Sequence, residues 1–378
     1  MTAPNKNDGD SVTPSPSAPQ RGAAIDGAAP QHSAGAVDAA QQTARARGPH
    51  PLPLFLATIQ ASCAGDPARL AKVLEGLRRY QSAPPPLPRL PRREVARIGA
   101  ARLLSCAEHG RPLIIVPSLI NAADVLDLAP GQSLIDHLAG QGLRPLLVDW
   151  GECEALDLAA LVSERLVPLT RQVGEPVAML GYCMGGTLAI GAASQLGNMV
   201  SRLALLATPW HFGGYGDAAR GDLGAWWGGA MPMAEQLGAM PMDLLQPAFW
   251  SLDPGALAAK FARLADMNDE LAAGFVRLED WANTGTPLSL PAARDLARLF
   301  ADDMAGRGAW QIAGKVVDPA ALVMPVLDIC ASADRIVPAA AACGAGTRWV
   351  LDAGHVGMVV GRRAPEQLWA PLADWLTA

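Results

Sequence analysis

The sequence predicts an α/β fold: a mostly parallel sheet flanked by helices, interrupted by an inserted, mainly helical cap. Three observations predict it. Short apolar runs alternate with helical stretches, as in Leu113-Ile114-Ile115-Val116, then a helix over 134–143, then Pro145-Leu146-Leu147-Val148-Asp149-Trp150. Such runs are apolar on both faces, which suits strands covered on both sides by helices. The run 176–180, the turn Gly181-Tyr182-Cys183-Met184-Gly185-Gly186-Thr187 and the small-residue stretch after it give strand, sharp turn and helix in order. Finally, the rhythm stops between about 209 and 318, where glycine, methionine and tryptophan dominate, and resumes with Met324 to Ala331.

Taken in order, residues 1–50 are rich in Ala, Gly, Pro, Ser and Gln and have no basic segment followed by an apolar one, so they read as a disordered tail. Residues 51–110 read as a helical segment and linker. Leu56, Ile59, Leu70, Val73, Leu74 and Leu77 fall at helical spacing over Pro51 to Tyr80, and the prolines at 84, 85, 86 and 88 end it. Residues 111–208 form the first part of the α/β core, 209–318 the cap and 319–378 the second part of the core. The cap carries Trp226, Trp227, Trp250, Trp281 and Trp310. For any one of them, packing on the core is the simpler expectation than contact with an acyl chain.

With 378 residues, half of them hydrophobic, the chain has ample material for one large core and an insertion. A formal charge of −6 without a basic stripe argues against a nucleic-acid partner. Six cysteines without metal-like pairing point to a reducing compartment and to no resident metal. No apolar run reaches eighteen residues, so no transmembrane segment is expected.

Cys183 is the candidate nucleophile. It occupies the centre of an elbow in which Gly181 and Gly185 leave room for close backbone approach, and it begins a helix whose N-terminal dipole favours a thiolate. Cys63, Cys106, Cys330 and Cys343 read as small core residues. Cys153, between Glu152 and Glu154, lies in an acidic setting expected to raise its thiol pKa. An elbow nucleophile requires an acid and then a histidine downstream. Asp334 lies on the loop leaving the strand that ends near Ala331, and His355 on the loop after Trp349-Val350-Leu351. Of the six histidines, only His355 completes the order nucleophile, acid, base. The expected triad is Cys183, Asp334 and His355. The expected oxyanion donors are the backbone N–H of Met184 and of Leu119 in the 118–121 loop.

Several separated stretches together resemble the polyhydroxyalkanoate synthases, of α/β-hydrolase fold. Val116-Pro117-Ser118-Leu119-Ile120-Asn121, with Val125-Leu126-Asp127-Leu128 and Ser133-Leu134, is similar to the stretch preceding that family's nucleophile. The elbow is similar to its cysteine box, and Gly354-His355-Val356-Gly357 to its histidine loop. Asp149-Trp150-Gly151, Phe275 to Trp281, and Met324-Pro325 leading to Asp334 resemble the shorter, two-component type. The resemblance covers residues 95–378 and implies a polymerase that takes 3-hydroxyacyl-CoA and extends a growing polyester chain. It implies no cofactor beyond the CoA thioester substrate, a second synthase subunit as a possible partner, a homodimer, and a cytoplasmic place at polyester granules. Arg335 departs from the histidine usual after the aspartate. The stretch 282–287 lacks the acidic residues expected after the tryptophan. Two other readings remain: a thioesterase or polyester depolymerase that uses the same Cys183, His355 and Asp334 but admits water, and a non-catalytic granule-associated or regulatory subunit that retains the fold.

Overall fold

The computed structural model describes residues 47–84 and 91–378; the expected tail, up to residue 46, and prolines 85, 86 and 88 lie outside the described residues. An eight-stranded sheet forms its centre, with strands β1 (Arg93–Ile98), β2 (Ala101–Ser105), β3 (Arg111–Val116), β4 (Leu143–Asp149), β5 (Val177–Tyr182), β6 (Val200–Leu206), β7 (Val326–Ala331) and β8 (Thr347–Leu351). Their order across the sheet is β1-β2-β4-β3-β5-β6-β7-β8. From β4 to β8 every pairing is parallel, with Leu113 opposite Pro145 on one side and Ala178 on the other. β1 and β2 form an antiparallel hairpin added at the β4 edge. This strand order, with the nucleophile elbow after β5, is the α/β-hydrolase fold that the sequence predicts.

Successive side chains of a strand face opposite sides. Ile114 and Val116 therefore enter one core with Met179, Leu203 and the helix after the elbow, while Leu113 and Ile115 enter the other with Leu180, Leu206 and the C-terminal residues Leu368 and Leu372. Both faces are thereby covered.

Two parts of the segment 51–110 differ from expectation. The helical stretch is two helices, α1 (Leu52–Ser62) and α2 (Pro67–Ser82). Gly65 has φ +82, Asp66 accepts the Arg69 N–H at 2.9 Å as N-cap, and Pro67 starts the new helix. The linker also contains the β1–β2 hairpin, which turns at Gly99 with φ +60. Its strand Arg93-Glu94-Val95-Ala96-Arg97-Ile98 is largely exposed, as an edge strand is, so it carries little apolar signal.

Between β6 and β7 the cap contains five long helices: α3 (Asp217–Leu237), α4 (Met242–Ser251), α5 (Pro254–Asp266), α6 (Asp269–Ala282) and α7 (Leu290–Asp302). They divide between two cores. Residues of α3 and α7 pack toward the sheet, with Trp227 and Trp310 buried there. Residues of α5 and α6, with Trp250, form a third core with α1 and α2 around Phe55, Tyr80 and Phe261. The N-terminal helices therefore belong with the cap and not with the sheet. Trp310 meets Trp210 edge-on at 5.9 Å, and Trp250 meets Phe55 at 5.4 Å, so these cap tryptophans pack as the simpler expectation had it. Among the described residues, no helix is long and apolar enough to cross a membrane.

Candidate active site

The elbow forms as the glycines require. Cys183 has φ 54 and ψ −130, a sparsely populated conformation for a residue with a side chain, between β5 and the helix Met184–Leu196. Its amide donates to the Leu206 carbonyl at 2.9 Å, and its carbonyl accepts from Gly186 at 2.9 Å, which fixes the corner between β6 and the helix. A β-carbon on Gly185 would lie 2.2 Å from the Val116 carbonyl oxygen and 2.4 Å from that of Pro117. One on Gly181 would lie 2.4 Å from the Gly186 Cα. The helix start is thus pressed against the end of β3 and the 117–122 loop. Met184, its first residue, has no intrahelical acceptor for its amide. In the loop, Ser118 Oγ accepts from the Ile120 amide at 3.2 Å. Among the described residues, neither the Met184 nor the Leu119 amide has a protein acceptor.

The three residues expected as a triad meet. Asp334 leaves β7 on a turn in which its Oδ1 accepts the amides of Ile336 and Val337, each at 2.8 Å. Its Oδ2 accepts from His355 Nδ1 at 2.7 Å. The Asp334 side chain is fully buried and that of His355 nearly so. Cys183 lies close enough to the imidazole to act on its titration. Burial pushes the His355 pKa down, but the negative charge of Cys183, the hydrogen bond to Asp334 and the charge of Asp334 outweigh it and lift the pKa to about 10. The folded chain thus holds this proton far above the ordinary 6.5 of the group. Its contribution to stability is complete below pH 6.5 and is lost as pH rises through about 10. In Cys183→Ala the largest upward influence disappears while burial remains, so His355 should titrate at a clearly lower pH. NMR of the imidazole in both proteins measures this, and an unchanged titration would contradict the coupling.

Of the remaining thiols, Cys63, Cys330 and Cys343 are buried, Cys106 is half-buried and Cys153 is exposed. Burial pushes Cys106 and Cys330 up to about 11 and Cys343 up to about 12. Cys153 is raised as expected, but the cause is burial and not its acidic neighbours. Arg335 is exposed, and its guanidinium pairs with Asp253, the N-cap of α5. This bridge lies at the surface, and Arg335→Ala should cost under about 1 kcal/mol, read from the urea midpoint. A loss above 2 kcal/mol would show a structural role.

Two tyrosines were not anticipated. Tyr182 precedes the nucleophile, stacks obliquely on His355 at 5.2 Å, and its hydroxyl donates to the His355 carbonyl at 3.3 Å. Tyr215, on the loop leaving β6, packs on Phe212 and Phe300. Burial, followed by the charges of Cys183 and Asp334, raises both phenols well above their ordinary value, so both stay neutral. The signal for Tyr215 was its place just beyond the carboxyl end of a parallel strand. The Asp149-Trp150-Gly151 stretch is structural. Asp149 accepts the Gly151 amide at 2.8 Å and pairs with Arg102, and the Trp150 indole donates to the Pro117 carbonyl at 3.2 Å.

No protein-family model matches the chain. It is 27% identical over 293 residues to the poly(3-hydroxyalkanoate) polymerase subunit PhaC of Haloferax mediterranei, covering 71% of this chain and 59% of that protein. It is 28% identical over 292 residues to the subunit so named from Synechocystis sp., covering 70% of this chain and 77% of that protein. The one from Thiocystis violacea is 28% identical over 293 residues, 70% of this chain and 80% of that protein. The chain spans about 60% of the length of the Haloferax and Haloarcula relatives. Among solved structures, a hydrolase from Pseudomonas aeruginosa PA01 superposes with a TM-score of 0.49 at 18% identity, over 76% of this chain and 98% of that one. The fold assignment rests on this chain's own strand order and elbow.

Proposed function

We propose that this chain, which belongs to the polyhydroxyalkanoate synthase family of the α/β-hydrolase superfamily, polymerises 3-hydroxyacyl-CoA into polyester through an acyl-thioester on Cys183. The observation that carries this reading is a cysteine at the strained elbow, beside a histidine that Asp334 holds at 2.7 Å. His355, held by Asp334, takes the Cys183 proton as general base, and the sulfur attacks as the thiolate.

The Cys183 sulfur attacks the thioester carbonyl. The developing oxyanion is received by the amides of Met184 and Leu119. The carbon–sulfur bond to CoA breaks, and CoA leaves as a thiol with the His355 proton. Exchange of one thioester for another is nearly balanced, and poor overlap of sulfur with the carbonyl keeps the acyl group reactive. Neutral His355 then takes the proton from the 3-hydroxyl of a second hydroxyacyl group. That oxygen attacks the acyl carbon, an ester bond forms, and the bond to Cys183 breaks as the sulfur returns to its thiolate form. Asp334 steadies the imidazole in each step through Nδ1. A closed, apolar cap keeps water from the intermediate. The reaction needs no cofactor beyond the CoA thioester. A second synthase subunit, a homodimer and attachment to polyester granules belong to the same proposal.

Purified protein given 3-hydroxybutyryl-CoA should release CoA and accumulate insoluble ester. CoA release with free 3-hydroxybutyrate as the sole acid product would favour a hydrolase. Absence of CoA release, with and without candidate partner subunits, would favour the non-catalytic reading.

A further inference from the structure

The 117–122 loop is suspended between two indoles. At its start the Trp150 Nε1–H, from the end of β4, donates to the Pro117 carbonyl at 3.2 Å. At its end the Trp281 Nε1–H, from the last turn of α6, donates to the Ala122 carbonyl at 2.7 Å. Between these points, Asn121 Nδ2 donates to the carbonyls of Ala282 and Thr284 at 3.2 and 3.3 Å. Gly285 approaches so closely that a β-carbon there would lie 2.2 Å from the Ile120 carbonyl oxygen. Ser118, Leu119 and Asn121 also border a cavity of about 310 Å³, closed in part by Trp150 and Thr286. Leu119 and Ile120 pack against the sheet core, and on the cavity side these ties hold the loop.

The cap side of this suspension has its own foundation. The inner face of α6, with Ala272 and Val276, is buried against α2 and α5 in the third core, and Glu279 is tied to Lys260 at 2.6 Å. α6 is therefore rooted in the third core, while Trp281 at its end packs against the sheet core, with Asn283 and Gly285 just beyond. We infer that the cap positions the oxyanion loop: the Trp281 indole, the Asn121 amide and the close approach of Gly285 place the Leu119 amide, so the oxyanion hole is complete only while the cap end of α6 is seated. This rests on the reading of Leu119 as an oxyanion donor. Trp281 and Asn121 are positioning residues, since both act on the loop and not on the reacting carbonyl. A growing chain or partner that displaces the cap would switch acylation off without touching Cys183 or His355.

The test separates acylation from the state of the thiolate. Acylation of Cys183 by 3-hydroxybutyryl-CoA needs the oxyanion hole, whereas alkylation of the same sulfur by iodoacetamide does not. Trp281→Phe keeps the ring and removes the donor; Asn121→Ala removes the second tie; Gly285→Ala forces the Ile120 carbonyl away. Each should lower the acylation rate by about 10-fold to 100-fold, with KM nearly unchanged and with Cys183 alkylated at the wild-type rate. Acylation within twofold of wild type in Trp281→Phe and Asn121→Ala would overturn the inference. So would a parallel loss of alkylation, which places the damage in the triad or the fold. If the wild-type chain itself never acquires an acyl group on Cys183, the functional reading fails first, and that outcome is distinct from either of these.

Discussion

Cys183→Ala should lower CoA release from 3-hydroxybutyryl-CoA by on the order of 10⁴-fold or more, leaving the fold intact. The loss is this large because the remaining parts cannot act alone. In the proposed mechanism His355 then has no sulfur to deprotonate, and the Met184 and Leu119 amides assigned to the oxyanion have none to receive. The fold tolerates the change because Cys183 is only partly buried and its backbone, not its side chain, makes the bonds to Leu206 and Gly186. Relief of the electrostatic coupling to His355 is the second effect, and it lowers the imidazole pKa in the same variant. A stopped assay of free CoA, paired with circular dichroism, checks both halves. Retention of more than a tenth of the wild-type rate would remove Cys183 from the mechanism.

Gly185→Ala should be the most destabilising single-methyl change near the site, by about 3 kcal/mol or more. Its β-carbon would meet two carbonyl oxygens, at 2.2 Å from Val116 and 2.4 Å from Pro117, and both belong to the backbone of the central strand β3 and its exit. A flexible side chain could turn aside; these atoms cannot. β3 is hydrogen-bonded to β4 and β5 on its two sides, so relief requires the elbow helix to lift from the sheet. That movement would withdraw Cys183 from His355 and Met184 from Leu119 together. Urea denaturation of wild type and variant measures the loss, with Gly221→Ala, on the open face of a cap helix, as a control expected to be neutral or better. A difference between the two variants below 1 kcal/mol would show that the elbow is less tightly packed than these contacts require.

The elbow was legible because its chemistry and its sterics demand the same residues. Gly181, Gly185 and the cysteine mark a corner where only such a pattern fits, and the chain order of Asp334 and His355 follows from the strands that carry them. The core strands were legible for a related reason. Runs such as 113–116 are apolar on both faces, because helices cover both faces of a parallel sheet. The β1–β2 hairpin was not, since an edge strand that reads Arg-Glu-Val-Ala-Arg-Ile buries little and shows no sustained alternation. The alliance of α1 and α2 with the cap was also hidden. Phe55 and Phe261 stand over two hundred residues apart in the chain, and helical periodicity shows that a face is apolar without naming what it meets. The same holds for Tyr215 and for the ties of Trp281 and Asn121 to opposite sides of one interface. Trp150 and Trp281 could be picked out as parts of a resemblance, but their function as indole donors at the two ends of one loop exists only in three dimensions.

The most direct measurement is mass analysis of the Cys183 peptide during turnover of 3-hydroxybutyryl-CoA, with the products collected from the same reaction. The account predicts a hydroxybutyryl thioester on Cys183, absent from Cys183→Ala, alongside stoichiometric CoA release and insoluble ester. Turnover with Cys183 unmodified, or with free 3-hydroxybutyrate as the sole acid product, would contradict it.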